Sequence, residues 1–389
     1  MVTELLASNR LFKTIAAAVV ISGGALYVAN KVRGARHTSK RMIYGPSKLN
    51  EFITKSLQPA LDQYAPTWWT NTHMQIVLTF LVPQADLRYK RELLDLDDGG
   101  QAALDWALES SSHSVHDLVA DAPIVVVLHG LTGCSAAMRS LCAEALERGY
   151  RPVVFNKRGH GGVKLTTPKL QAFGCVRDLQ QAIAHIERAY PSAKLYGVGF
   201  SAGSGLLCSY LGETGAQSRL EAGVMISPGY NALDLFCGGK IHPLYDFLMT
   251  FSLKQFLSRH VNELQDVIHV PSALKASSIR EFDEHVFMKM HGYEDIETYW
   301  KYNNPMREAD RIQRPTLCIN ALDDPVCTKE NIPYEAFKVD PLRVLIETAH
   351  GSHCAFYEGH VVLKSWALGV AMDYLTKVRE FQGLVPPAQ

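Results

Sequence analysis

Ile124-Val125-Val126-Val127-Leu128 is an unbroken apolar run that stops at His129-Gly130. Successive side chains of a strand point to opposite faces, so a strand built from this run must be covered on both sides. Five further runs have the same character: Pro152 to Asn156, Lys194 to Gly199, Glu221 to Ser227, Thr316 to Ala321 and Arg343 to Glu347. Between the second and third runs, Cys175 to Tyr190 places Val176, Leu179, Ile183 and Ile186 at helical spacing, which gives one apolar stripe. Strand and helix patterns then alternate up to a C-terminal helix near Val361 to Phe381. Such alternation predicts an α/β fold, with a mostly parallel central sheet and helices on both faces.

One stretch breaks the rhythm. Gly229 to Asn304, between the fourth and fifth runs, is helical in pattern and rich in large apolar residues, among them Phe236, Phe251, Phe256, Phe287 and Met290. A helical insertion at residues 229–304 would lie as a lid over the carboxyl edge of the sheet, where open α/β folds bind their ligands. Charge gives no competing direction. Lys+Arg and Asp+Glu are 39 each, which leaves no field to attract nucleic acid, so no nucleic-acid partner is expected. The eight cysteines are scattered and contain no C-x-x-C pair. This resembles neither a zinc site nor a disulfide framework, so they read as small core residues and no metal is expected.

The N-terminus reads separately. Thr14 to Asn30 carries no charge, and as a helix it would span about 25 Å of a hydrocarbon core of about 30 Å. Lys31, Arg33, Arg36, Lys40 and Arg41 follow it, against Arg10 and Lys13 before it. The positive-inside rule therefore predicts a single-pass membrane anchor with the body in the cytoplasm. A cleaved signal peptide and a buried helix are the competing readings. The predicted division is residues 1–45 as anchor and basic flank and 46–389 as the folded domain, with a polar linker over about 34–60.

The chemistry centres on Gly199-Phe200-Ser201-Ala202-Gly203, a G-x-S-x-G pentapeptide between a strand run and the helix-forming run Ala202 to Leu211. That context suits a nucleophile held on a strained strand-to-helix turn, with glycines where side chains would meet neighbouring backbone. A serine hydroxyl needs a base oriented by an acid, and the chain order Ser, Asp, His supplies both. Asp323 and Asp324 follow the fifth run, and His350 and His353 follow the sixth. Within each pair the residues alone leave the choice open. Asp323 can equally cap the turn, and His350 can be an ordinary loop residue. Oxyanion donors would be the backbone N–H groups of Ala202 and of Leu131, after His129-Gly130. His116 and Asp121 match an acyltransferase H-x-x-x-x-D spacing but fall in a polar loop, and one chance match is unsurprising among 15 histidines. Arg158 and Asp178 read as structural partners holding the loop and helix around the site.

Over roughly Pro66 to Gly359 the chain resembles the α/β-hydrolase family, in the subgroup of ABHD1- and ABHD3-like membrane lipases that includes yeast ethyl-ester synthases and bacterial YheT-type esterases. The resemblance is carried by Trp68 with His73-Met74-Gln75, Arg91-Glu92, Asp97-Asp98-Gly99-Gly100 and Leu104-Asp105-Trp106. It continues through His129-Gly130-Leu131-Thr132-Gly133, Phe155-Asn156-Lys157-Arg158-Gly159 and Thr166-Thr167-Pro168, then Arg280-Glu281-Phe282-Asp283 and Ile319 to Pro325. The resemblance implies that the acid is Asp324 and the base His353. The family's Gly-Gly-His-x-Gly-Phe loop is altered here by Ser352 and Ala355, which implies a slightly displaced loop. Ala202 stands where the family resembles Leu, which implies a roomier acyl pocket.

The implied activity is that of a membrane-anchored serine hydrolase of fatty-acyl esters, phospholipids or acylglycerols, working through an acyl-enzyme on Ser201, Asp324 and His353 without a cofactor. Acyl transfer to an alcohol is the same chemistry with another acceptor. A catalytically silent membrane scaffold is the alternative of a different class, and an intact Ser, Asp, His order with both elbow glycines argues against it.

Overall fold

The computed structural model describes residues 39–67, 71–110, 113–359 and 362–383. The six apolar runs fold as β4 (Ile124–Leu128), β5 (Arg151–Asn156), β6 (Leu195–Phe200), β7 (Leu220–Ile226), β8 (Thr316–Ala321) and β9 (Arg343–Thr348). These pair in parallel, β5 beside β4, then β6, β7, β8 and β9 in turn. In β4 the alternation of side chains sorts the core into two layers. Val125 and Val127 pack with the helices Lys48–Gln63, Arg139–Glu147 and Trp366–Phe381, whereas Ile124, Val126 and Leu128 pack with Arg177–Ala189 and Ala202–Thr214. Burial on both faces is why the run has no polar position.

Three antiparallel strands complete a nine-stranded sheet: β1 (Lys40–Tyr44), β2 (Leu87–Asp95) and β3 (Gln101–Ser110), giving the order β1-β9-β8-β7-β6-β4-β5-β3-β2. They correct the expected linker and domain boundary. From residue 40 onward the expected polar linker is folded, because β1 pairs with β9 in the register Lys40 opposite Thr348. The helix Lys48–Gln63 follows, capped by Ser47 Oγ accepting the Asn50 N–H and burying Ile53, Leu57 and Leu61. The folded domain therefore includes Lys40–Tyr44, ahead of residue 46. Two residues read as membrane flank have other partners. Lys40 Nζ donates to the carbonyls of Asp62 and Tyr64 at 2.8 Å, and Arg41 Nε pairs with Glu347 at 2.7 Å.

The anchor expected over Thr14–Asn30 lies outside the described residues. Among the described residues, no helix is long and apolar enough to cross a membrane. The insertion between β7 and β8 is helical throughout, from Ala232–Phe236 to Ile296–Asn303. It has its own core, with Leu257, Leu264, Ala273, Phe282 and Val286 almost fully buried. The chain passes from β4 to β5 on one side of the sheet and to β6 on the other. The carboxyl ends of β4 and β6 therefore flank a switch in strand order, the place where such sheets open a crevice.

Candidate active site

Ser201 caps the helix Ala202–Thr214 with φ 52° and ψ −117°, a left-handed backbone region that a residue with a side chain enters at a cost. The turn is held from both sides: the Ser201 N–H donates to the Ile226 carbonyl, and the Gly205 N–H donates to Ser201 O. The elbow glycines are required sterically. A Cβ at Gly203 would lie 2.2 Å from Leu128 O, and one at Gly199 would lie 2.5 Å from Gly203 O. Both obstacles are backbone and cannot rotate away.

The structure brings Ser201, His353 and Asp324 into one chain of hydrogen bonds. His353 Nδ1 lies 2.8 Å from Asp324 Oδ2, and His353 Nε2 lies 2.8 Å from Ser201 Oγ. An ionised carboxylate only accepts, so Nδ1 carries the proton and Nε2 accepts from the serine hydroxyl. The other Asp324 oxygen accepts the N–H groups of Val326 and Cys327 at 2.8 and 2.9 Å. Its side chain is fully buried, and three donors meet its two oxygens. Burial alone would lower the pKa of His353, but the charge and hydrogen bond of Asp324 hold it well above the ordinary histidine value.

Asp323 and His350 stand apart from this chain. Asp323 Oδ1 accepts the N–H groups of Gly351 and Ser352, and Oδ2 accepts from Thr72 Oγ1 at 2.8 Å. It therefore fixes the loop that carries His353. Among the described residues, the one hydrogen-bond partner of the His350 ring is Asp323, at 3.4 Å. Ser352 takes the left-handed conformation with φ 54°, and its hydroxyl donates to Thr72 O at 2.7 Å. That local anchor offsets part of the cost of replacing glycine there.

Among the described residues, the N–H groups of Leu131 and Ala202 have no acceptor. Both residues line one cavity beneath the inserted helices, together with Leu253, Phe256, Phe236 and Phe287. Its volume is only about 40 Å³, far below the roughly 300 Å³ at which small-molecule pockets begin. The room implied by Ala202 is thus filled by aromatic rings of the insertion. Phe251, equally eligible from the sequence, is not among the lining residues.

The motifs that carried the resemblance converge on two ion pairs, one buried on both sides and one between an exposed arginine and a buried aspartate. Arg158 donates from Nε and Nη2 to both oxygens of Asp178 at 2.6 and 2.8 Å, from Nη2 also to Asp98, and from Nη1 to Thr167. Arg91 forks onto both oxygens of Asp105 at 2.7 Å, and Asp105 also accepts from Ser135 Oγ and Asn156 Nδ2. These networks hold the loops after β4 and β5 beside the serine.

Two features escaped the sequence. Cys327 lies beside the acid and base, so Asp324, Cys327 and His353 present ligand atoms within 4.8 Å of one another. The atoms of Asp324 and His353 are already engaged in the hydrogen-bond chain, and burial pushes the Cys327 thiol up to about 11. It stays a protonated core residue. Lys157 and Asp283, both inside motifs, line the cavity, which only the fold could bring together.

Residues 123–360 match the alpha/beta hydrolase fold family. The chain belongs to the α/β-hydrolase family. Relatives extend the likeness to most of this hydrolase-fold chain. Protein ABHD15 of Homo sapiens is 33% identical over 349 residues, covering 87% of this chain and 74% of its own. Phospholipase ABHD3 of Bos taurus is 32% identical over 328 residues, covering 82% and 79%. Among solved structures, a puromycin-hydrolyzing peptidase of Mycobacterium tuberculosis has a TM-score of 0.51 at 16% identity, covering 75% of this chain and 39% of that one. The last is a likeness of fold alone.

Proposed function

We propose that this protein is a carboxylic ester hydrolase that cleaves lipid esters through an acyl-enzyme on Ser201. The observation that carries the reading is the pair of 2.8 Å contacts linking Ser201, His353 and Asp324, with two free backbone N–H groups beside the nucleophile. Ser201 Oγ attacks the ester carbonyl while His353 Nε2 takes its proton. The Leu131 and Ala202 N–H groups donate to the tetrahedral oxyanion. His353 then protonates the departing alcohol, and water, activated in the same way, releases the acid.

The lipid character is supported by the aromatic lining around Ala202 and by the relative named a phospholipase. An acyl chain does not fit the closed cavity, so the helices of residues 229–304 must part to admit one. Each buried methylene is worth about 0.8 kcal/mol, or roughly fourfold in kcat/KM. Turnover of a p-nitrophenyl ester series should therefore rise with acyl length and level off where the pocket ends. Phe256→Ser should flatten the rise, since Phe256 lines the cavity. A profile highest at acetate would replace the lipid reading with a small-ester esterase.

An N-terminal anchor at Thr14–Asn30 with the body on the cytoplasmic side belongs to the same reading. Lys40 and Arg41 end up in β1, but orientation is set during insertion, when all five cations flank the segment. In intact microsomes the body should be digested by added protease. Protection until detergent is added would reverse the orientation.

A further inference from the structure

The chain enters the fold at the edge of the sheet that carries the catalytic residues. β1 runs antiparallel to β9, so its first residue, Lys40, stands opposite the last residue of β9, Thr348. One residue earlier, the Ser39 carbonyl accepts the N–H of Ala349, in the loop that leads to His353, at 2.8 Å. Nine residues separate Asn30, the end of the uncharged segment, from Lys40, a reach of at most about 35 Å when fully extended. A domain of this size is roughly 50 Å across. A tether shorter than the body, attached at the catalytic edge, keeps that edge nearer the anchoring surface than the opposite one.

The surface at that edge is apolar. From Ala65 to Ala85 the sequence contains no Asp, Glu, Lys or Arg, and this stretch includes the helix Thr72–Leu81. The helix starts over the loops of the acid and base, where Thr72 Oγ1 donates to Asp323 and Thr72 O accepts from Ser352 Oγ. Further along, Leu78 is buried with Ala355 and Tyr357, and Val82 and Leu363 pack on the same cluster. The residues next to these two in the chain, Leu81 and Val362, are more than half exposed. The first turns of Thr72–Leu81 meet the inserted helix Pro243–Leu257: His73 Nδ1 lies 2.7 Å from the Tyr245 hydroxyl, and Ile76 packs into the core of the insertion. Beside Tyr245, Leu244 and Phe247 are one helical turn apart and about half exposed. The same inserted helix lines the cavity with Leu253 and Phe256. Exposed apolar side chains gathered beside a site mark a binding surface. By contrast, Val119 and Val339 are exposed singly before β4 and β9, four strand positions apart.

We propose that Leu81, Leu244, Phe247 and Val362 seat the catalytic edge on the bilayer in which the chain is anchored, so that a lipid ester passes from the bilayer to Ser201 without crossing water. The inference rests on the anchored ester-hydrolase reading and deepens it, by naming the face presented to lipid. The tether decides the occupant. A soluble partner could reach apolar residues anywhere on the body, whereas a bilayer reached through nine residues that end at Lys40 lies at this edge. The uncharged helix Thr72–Leu81 suits the boundary between headgroups and acyl chains, where a charged side chain would have to be desolvated. Each methylene of a substrate that stays in an apolar medium during transfer avoids the cost of hydration.

The test reconstitutes the full chain in phosphatidylcholine vesicles whose acyl chains carry bromine, which quenches tryptophan inside the bilayer. Leu81→Trp and Phe247→Trp should each lose most of the emission they add to wild type. Val119→Trp should lose none, because Val119 O meets Arg151 at the start of β5, on the opposite edge of the sheet. The double variant Leu81→Ser with Phe247→Ser should lower kcat/KM for dioleoylglycerol in the vesicles by about tenfold or more, the worth of burying one large apolar side chain. Its kcat/KM for soluble p-nitrophenyl butyrate should stay unchanged. Emission that bromine leaves unquenched at either position overturns the proposal, as does a double variant that keeps its turnover of dioleoylglycerol or loses the soluble ester equally. Unquenched emission together with a crosslinked dimer would give the face to a second copy of the chain instead. The readings beneath the proposal fail separately. Wild-type protein that takes up no fluorophosphonate at Ser201 refutes the ester-hydrolase reading, and quenched probes on a chain that alkaline carbonate releases from the vesicles refute the anchor alone.

Discussion

Ester hydrolysis by Ser201→Ala, His353→Ala and Asp324→Asn is expected to fall by roughly four orders of magnitude in kcat, and double variants should lose little more. The three groups act as one relay, so removing any member removes the proton path, and the residue left over comes from the oxyanion donors and binding. Asp324→Asn carries a second signature. The Asp324 charge favours the imidazolium and holds the His353 pKa well above the ordinary value, while the general base is the neutral imidazole. Activity must therefore drop as pH falls through that pKa, and removing the charge should move the acid limb of the kcat/KM profile to lower pH. Asp323→Asn should keep most of the activity, because an amide oxygen can still accept the Gly351 and Ser352 N–H groups. His350→Ala should be milder still, its ring having only the 3.4 Å contact with Asp323. Steady-state kinetics on one p-nitrophenyl ester decide the matter. If Asp323→Asn were the dead variant and Asp324→Asn nearly normal, the acid would be misassigned.

The reasons some of this was readable from the sequence are physical. β4 to β9 are covered on both faces, so their burial is written as continuous apolar composition. β1, β2 and β3 are antiparallel, and β1 and β2 lie at the sheet edges. β1 reads Lys-Arg-Met-Ile-Tyr with no residue fully buried, and its cations looked like a membrane flank. β3 buries Asp105 in its middle, a polar residue that no periodicity would place inside until Arg91 and Asn156 arrive from other strands. The proposed nucleophile, acid and base were legible because each sits at a fixed place after a strand and their chain order is that of the family. Choosing Asp324 over Asp323 needed either the family pattern or the structure, since adjacent carboxylates differ only in which loop they reach. Lys157 and Asp283 had no local signal: they are 126 positions apart by their numbers, and only the packing of the insertion over β5 puts both on one cavity.

The second large effect concerns stability rather than chemistry. Arg158 and Asp178 have side chains only 3% and 4% exposed, and they meet in a forked pair at 2.6 and 2.8 Å. Arg158 also draws in Asp98 and Thr167, so four separate segments meet at one guanidinium. Removing either partner leaves the other charge buried without compensation. Arg158→Ala and Asp178→Ala should each lower unfolding stability by about 3–5 kcal/mol, read as a drop in the denaturant midpoint at unchanged slope. Arg158→Lys should not rescue, because an ammonium cannot fork onto a carboxylate while reaching Asp98 and Thr167. The double variant Arg158→Met with Asp178→Leu should cost less than either single alanine change, since it removes both charges together and fills the space. Loss of activity should follow loss of folding in these variants, because the pair holds the loop after β5 and touches none of Ser201, His353 or Asp324. Single alanine variants that lose less than about 1 kcal/mol, the range of exposed ion pairs, would mean that water reaches this pair in solution and that the convergent motifs are held together by something else.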